Sequence, residues 1–231
     1  MGSCRVCNPC GLDHDCVHYP GGFVYSTTDI LQAFEVMSGN IEIPDPICKA
    51  KFRGNPIRVF DGVGVKPKKT LDWESFDTIV FEVSSNRSYR VIKRSADFYL
   101  PYGTLTMYTH RRSKLLDVIA KEARLSLEIE DRATIERNLH RLGEIVGDRK
   151  IIACVHHNLV CHTNRYLISH VVSSWCREES HAFFDPTPVI AACGPREVFR
   201  INRRKRIDYD HYSEPGWKIV NRRLMKLIRG D

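Results

Sequence analysis

Nine cysteines and ten histidines are the side chains in this chain best suited to chemistry, and they are not spread evenly. Residues 4–18 hold Cys4, Cys7, Cys10, His14, Cys16 and His18. Residues 154–193 hold Cys154, His156, His157, Cys161, His162, His170, Cys176, His181 and Cys193. Between the two clusters stand only Cys48, His110 and His140. An odd number of thiols with many imidazoles does not suit a disulfide framework, whereas thiolate and imidazole together suit tetrahedral Zn2+.

In the first cluster Cys4-x-x-Cys7 turns tightly enough to aim two sulfurs at one ion, and Cys7-x-x-Cys10 repeats the option. The preferred ligand set is Cys4, Cys7, Cys16 and His18, with Cys10 and His14 as substitutes. So short and polar a segment has no core of its own, and zinc would order it. In the second cluster Cys154, His156, Cys161 and His170 form a candidate set for a second zinc. The plain alternative is that the cysteines here are small buried hydrophobes.

The same side chains permit a cysteine protease, in which a thiol pairs with an imidazole. Cys16, Cys161 or Cys176 with His156, His162 or His181 would serve, and Asp185 could orient a histidine. No local signature marks any of them. A His-Glu-x-x-His helix and a phosphate-cradling glycine loop are both absent from the sequence. Met1-Gly2-Ser3-Cys4 offers a lipidation reading, but Val6 stands where that pattern takes Ser or Thr.

Charge is the second signal. Of a net +7, residues 196–231 carry eleven Lys or Arg against five acids. A local excess of this kind attracts a polyanion. Arg200, Arg203, Arg204, Lys205, Arg206, Arg222 and Arg223 are the candidate phosphate contacts. Tyr209, Tyr212 and Trp217, interleaved with them, are candidates for stacking on unpaired bases. RNA or another single-stranded nucleic acid is the expected partner, a nuclear-localisation signal or a plain solvated surface being the simpler readings. A protein partner, for which zinc would only stabilise an adaptor, is a third possibility.

A compact chain with a Cys/His cluster and an arginine-rich patch resembles the small zinc-binding accessory proteins of RNA viruses that bind RNA and counter host silencing or other defences. The resemblance, which lies in composition and layout, implies a regulatory viral accessory protein or silencing suppressor.

The elements that must position these groups read as α+β, with mixed hairpins, short helices and a metal-ordered N-terminal segment. Residues 77–93 read as a β-hairpin turning at Ser84–Arg87, and 98–108 as a further strand pair. Helices are expected near 28–38, 113–127, 132–146, 163–176 and 217–229. Strands are expected at 150–162, 187–193 and 195–202. The expected organisation is a zinc-binding segment at 1–22, an α+β domain at 23–195 and a basic segment at 196–231. With 42 % hydrophobic and 27 % charged residues, no long apolar run and no apolar leader, a membrane partner is not expected. The expected location is cytoplasmic and/or nuclear.

Overall fold

The computed structural model describes residues 1, 24–38, 40–41, 72–92, 98–101, 124–160 and 162–230, which divide into two compact units. The class is mixed α and β.

One unit is built on a parallel sheet of β1 (Thr78–Val83), β5 (Lys150–Val155) and β6 (Ala182–Phe184), with β5 in the centre. Thr78 pairs with Lys150 and Val83 with Val155. The run Ile151–Val155 is buried along its whole length, as a strand covered on both faces must be. A helix, α3 (Thr163–Glu178), carries the chain from β5 to β6. Its buried stripe is Ile168, Val171, Val172, Trp175 and Cys176, and the Trp175 ring lies 6.2 Å from that of Phe81. The other face of the sheet, marked by Ile152, Cys154 and Phe184, is covered by the C-terminal run. That run comprises α4 (Thr187–Cys193), α5 (Pro195–Val198), the antiparallel pair β7 (Phe199–Ile201) and β8 (Ile207–Tyr212), and α6 (Glu214–Arg229). Ile190, Val198, Phe199, Tyr212, Val220 and Leu224 complete this core.

The second unit holds α1 (Thr27–Met37), a 3-10 turn (Trp73–Ser75), α2 (Arg132–Val146) and an antiparallel sheet ordered β3-β2-β4. Its strands are β2 (Arg87–Ile92), β3 (Phe98–Pro101) and β4 (Arg124–Ile129). Ser26 and Asp29 close a capping box on α1. The buried Glu130 carboxylate accepts from the Thr27 hydroxyl at 2.9 Å and from the Thr28 amide at 2.7 Å, which satisfies helix donors that would otherwise be orphaned. Asn138 of α2 donates to the hydroxyls of Thr27 and Thr28, and the Phe34 and Trp73 rings meet edge to face at 5.0 Å.

Several local expectations are corrected. The strands on either side of Ser84–Arg87 exist but do not form a hairpin. Among the described residues β1 pairs in the parallel sheet and β2 in the antiparallel one. β-branched and aromatic content favours a strand without specifying its partner. Of the helix expected at 113–127, residues 124–127 belong instead to β4, where Arg124, Ser126 and Glu128 alternate with Leu125, Leu127 and Ile129, and residues 113–123 lie outside the described residues. The segment 187–193 is helix α4, not strand. Pro188 sits in its first turn and the Asp185 carboxylate holds the Thr187 amide at 2.8 Å. Residues 195–198 are helical before the short strand β7 begins. The rest of the second strand expected within 98–108 lies outside the described residues.

Candidate nucleic-acid interface

The basic run Arg203–Arg206 caps the β7–β8 ribbon as its turn. The Asn202 amide donates to the Arg206 carbonyl at 2.9 Å, and the Lys205 amide donates back to the Asn202 carbonyl at 2.9 Å. The Asn202 side-chain oxygen accepts from the Arg204 and Arg206 amides at 2.9 and 3.1 Å. The loop closes through Lys205 at φ 57°, a left-handed conformation that a lysine holds only at some cost. Four consecutive cations are therefore displayed on a turn whose backbone is tied by its own first residue.

All four side chains are exposed, and none has an ion-pair partner among the described residues. On α6, Arg222, Arg223 and Lys226 are likewise exposed and without an acidic partner among the described residues. Lys218 differs. It bonds Glu214 at 2.8 Å, and that bond holds the Glu214 carboxyl below its ordinary range. Arg200 is also engaged, its Nε donating to the Tyr212 carbonyl at 3.0 Å while its guanidinium lies 5.3 Å from the Trp217 ring.

The helix behind this surface is fixed at both ends. Ser213 caps α6 by accepting from the Gly216 amide, and its own amide and hydroxyl donate to the Val198 carbonyl. Gly216 lies so close to that carbonyl that a Cβ there would stand 2.0 Å from the oxygen. At the other end Lys150 Nζ donates to the Ile228 carbonyl at 2.9 Å, beside the amino end of β5.

The aromatic candidates are held by the core. Tyr212 is 2 % exposed and packs on Phe199 at 5.4 Å. Tyr209 and Trp217 are half-buried against the same cluster. Tyr209 also offers its carbonyl to His157 Nε2 at 2.9 Å, which fastens β8 to the carboxyl edge of the parallel sheet. That edge carries the buried pair His156 and His157, whose rings meet edge to face with centroids 4.2 Å apart, and the Asn158 amide bonded to the Thr187 hydroxyl at 2.9 Å.

Among the described residues, no three His, Cys, Asp or Glu side chains come together as a metal site. Cys154 is packed in the hydrophobic core, His156 is buried at the sheet edge, and His170 is exposed on α3. Cys161 lies outside the described residues, as do Cys4, Cys7, Cys10, His14, Cys16 and His18. Of the thiols considered as nucleophiles, Cys176 is buried, and burial pushes it up to about 12. A thiol that stays protonated at neutral pH is a poor nucleophile. His181 rests on the Trp175 ring at 4.7 Å, and burial lowers its pKa despite the nearby Glu179 carboxylate.

Two exposed side chains were not among the sequence candidates. Lys226 follows Arg222 by one helical turn, a spacing visible in the sequence. Tyr166 is 65 % exposed in the first turn of α3. The stripe 168, 171, 172, 175, 176 places it on the outer side of the helix, so helical periodicity could have found it. No family model, no curated protein and no solved structure matches this chain.

Proposed function

We propose that this chain binds RNA or another single-stranded nucleic acid through the turn of the β7–β8 ribbon and the outer side of α6. The observation that supports the reading is the set of seven exposed cations without acidic partners among the described residues: Arg203, Arg204, Lys205, Arg206, Arg222, Arg223 and Lys226. Cations kept without counter-charges repel one another, and a polyanion relieves that repulsion while releasing its own condensed counterions. The test is fluorescence anisotropy with a labelled oligouridylate across a salt series. Changing Arg203, Arg204 and Arg206 together to Ala should weaken binding about tenfold or more and flatten the salt slope by roughly two units. Unchanged affinity and slope would rule out this surface.

Zinc belongs to the same proposal as a stabilising ion held by Cys4, Cys7, Cys16 and His18, with Cys10 and His14 as substitutes. The supporting feature is the density of thiol and imidazole in a segment whose few aliphatic residues, Val6, Leu12 and Val17, are too few for a core. Native mass spectrometry of the intact chain should find bound zinc that is lost when Cys4 and Cys7 become Ser. A metal-free native mass would refute it. The regulatory role, that of a viral accessory protein or silencing suppressor, rests on the resemblance in composition and layout alone.

A further inference from the structure

The antiparallel sheet of the second unit is ordered β3-β2-β4, so among the described residues β4 has a strand on one side only. The Glu130 amide, just past β4, donates to the Asn86 carbonyl, just before β2, at 2.8 Å. Backbone direction alternates along an antiparallel strand, so the even-numbered residues of β4 bond toward β2. The amides and carbonyls of Leu125, Leu127 and Ile129 are left directed at the open edge. β4 also turns aliphatic side chains to water, Leu127 being 45 % and Ile129 58 % exposed. Open edges are commonly blunted by charged side chains, Lys above all, which repel an identical strand. β4 instead carries opposite charges, Arg124 and Glu128, two positions to either side of Ser126. Neither has an ion-pair partner among the described residues.

We propose that two copies of this chain pair edge to edge through β4, antiparallel and about a twofold axis at Ser126. In that register Arg124 of each copy lies opposite Glu128 of the other. Leu125 and Leu127, whose backbone groups face the open edge, exchange the hydrogen bonds. Positions 124, 126 and 128 then fall in the non-hydrogen-bonded pairs, where side chains across the strands come closest. Opposite charges placed symmetrically about one residue complement a second, reversed copy of the same strand. Moving the axis to Leu127 would set Arg124 against Glu130, whose carboxylate already serves α1, and Ser126 against Glu128. Pairing in the Ser126 register keeps every residue on its own face. Leu127 and Ile129 of both copies therefore share one side of a six-stranded sheet, where they shield one another from water. A contact of one patch with itself closes on two copies. β4 and the basic turn belong to different units, and the pairing is independent of nucleic-acid binding.

The experiment is sedimentation equilibrium of the full chain across a concentration series. The parent should pass from monomer to dimer. Glu128→Arg and Arg124→Glu, each alone, set like charges opposite one another twice, and each should weaken the dimer roughly tenfold. The double variant, Arg124→Glu with Glu128→Arg, restores opposite charges in the same register and should dimerise like the parent. Circular dichroism of each variant verifies that the fold is intact. A monomer at every concentration overturns the proposal and leaves the edge to another segment of this chain or to a different partner. A dimer indifferent to both single reversals has its interface elsewhere and overturns it as well. Weakening in the single variants without recovery in the double variant overturns the register about Ser126.

Discussion

At the scale of single residues, two effects compete at Gly216. A Cβ there would collide with the Val198 backbone oxygen, while alanine is the better helix former. The propensity gain is at most about 1 kcal/mol, and overpacking against rigid backbone costs about 3 kcal/mol, so the collision wins. Gly216→Ala should destabilise the chain by about 2 kcal/mol in urea unfolding, with the slope unchanged. His181 sets a pH dependence. Its ordinary pKa is 6.5 and burial lowers it in the folded chain. Below 6.5 the unfolded chain takes up the proton more readily than the folded one. The contribution of His181 is therefore complete above that pH and is lost as pH falls toward the lowered folded value. Denaturant midpoints measured from pH 7.5 downward should fall less steeply for His181→Asn than for the parent.

At the scale of elements, the clearest dependence is that of α1 on a side chain far along the chain. Glu130, at the end of β4, takes the Thr27 hydroxyl and the amides of Thr27 and Thr28. Removing a buried charged acceptor leaves those donors without a partner, so Glu130→Ala should cost about 3 kcal/mol, seen as a lower midpoint in urea. Glu130→Gln keeps one acceptor and should fall between. The sequence displays such helices well. In α2 and α6 the apolar spacing, the Asp131 cap on the Thr134 amide and the terminal Gly230 are all local signals. Strand partners are not local. The run TIVFEV reads equally as one arm of a hairpin or as an edge of a parallel sheet, and the deciding partner, β5, lies 72 positions away, as the pairing of Thr78 with Lys150 shows. α4 was hidden for a related reason. Val189, Ile190 and Ala191 read as strand by composition, and only the Asp185–Thr187 contact and Pro188 mark a helix start.

At the scale of the molecule, the mixed α and β class was legible, and so was the basic excess of residues 196–231, because charge is counted without knowing the fold; that Arg200 is engaged and Lys226 is not depends on the fold. Which aromatic is exposed was not legible from proximity in sequence. Tyr212 stands six residues from Arg206 and is buried, whereas Tyr166 stands far from the basic run and is open. Burial depends on the register of β8 against β7, where the pairing jumps from Phe199–Tyr212 to Arg200–Asp208. At that irregularity the Phe199 ring meets those of His157, Tyr209 and Tyr212 together, contacts that no local pattern in the sequence displays.

The separation between β1 and β5 has a consequence for biogenesis. As the ribosome releases the chain from its N-terminus, β1 emerges well before the strand it must lie beside, and the intervening polypeptide includes the whole described antiparallel sheet. Closing so long a loop delays the parallel pairing, because its entropy is lost before any neighbouring contact repays it. Until Lys150–Val155 and the helix α3 that follows have been translated, β1 lacks its neighbouring strand and Phe81 lacks the Trp175 ring that packs on it, and a nascent chain stalled at that stage is exposed to misassociation.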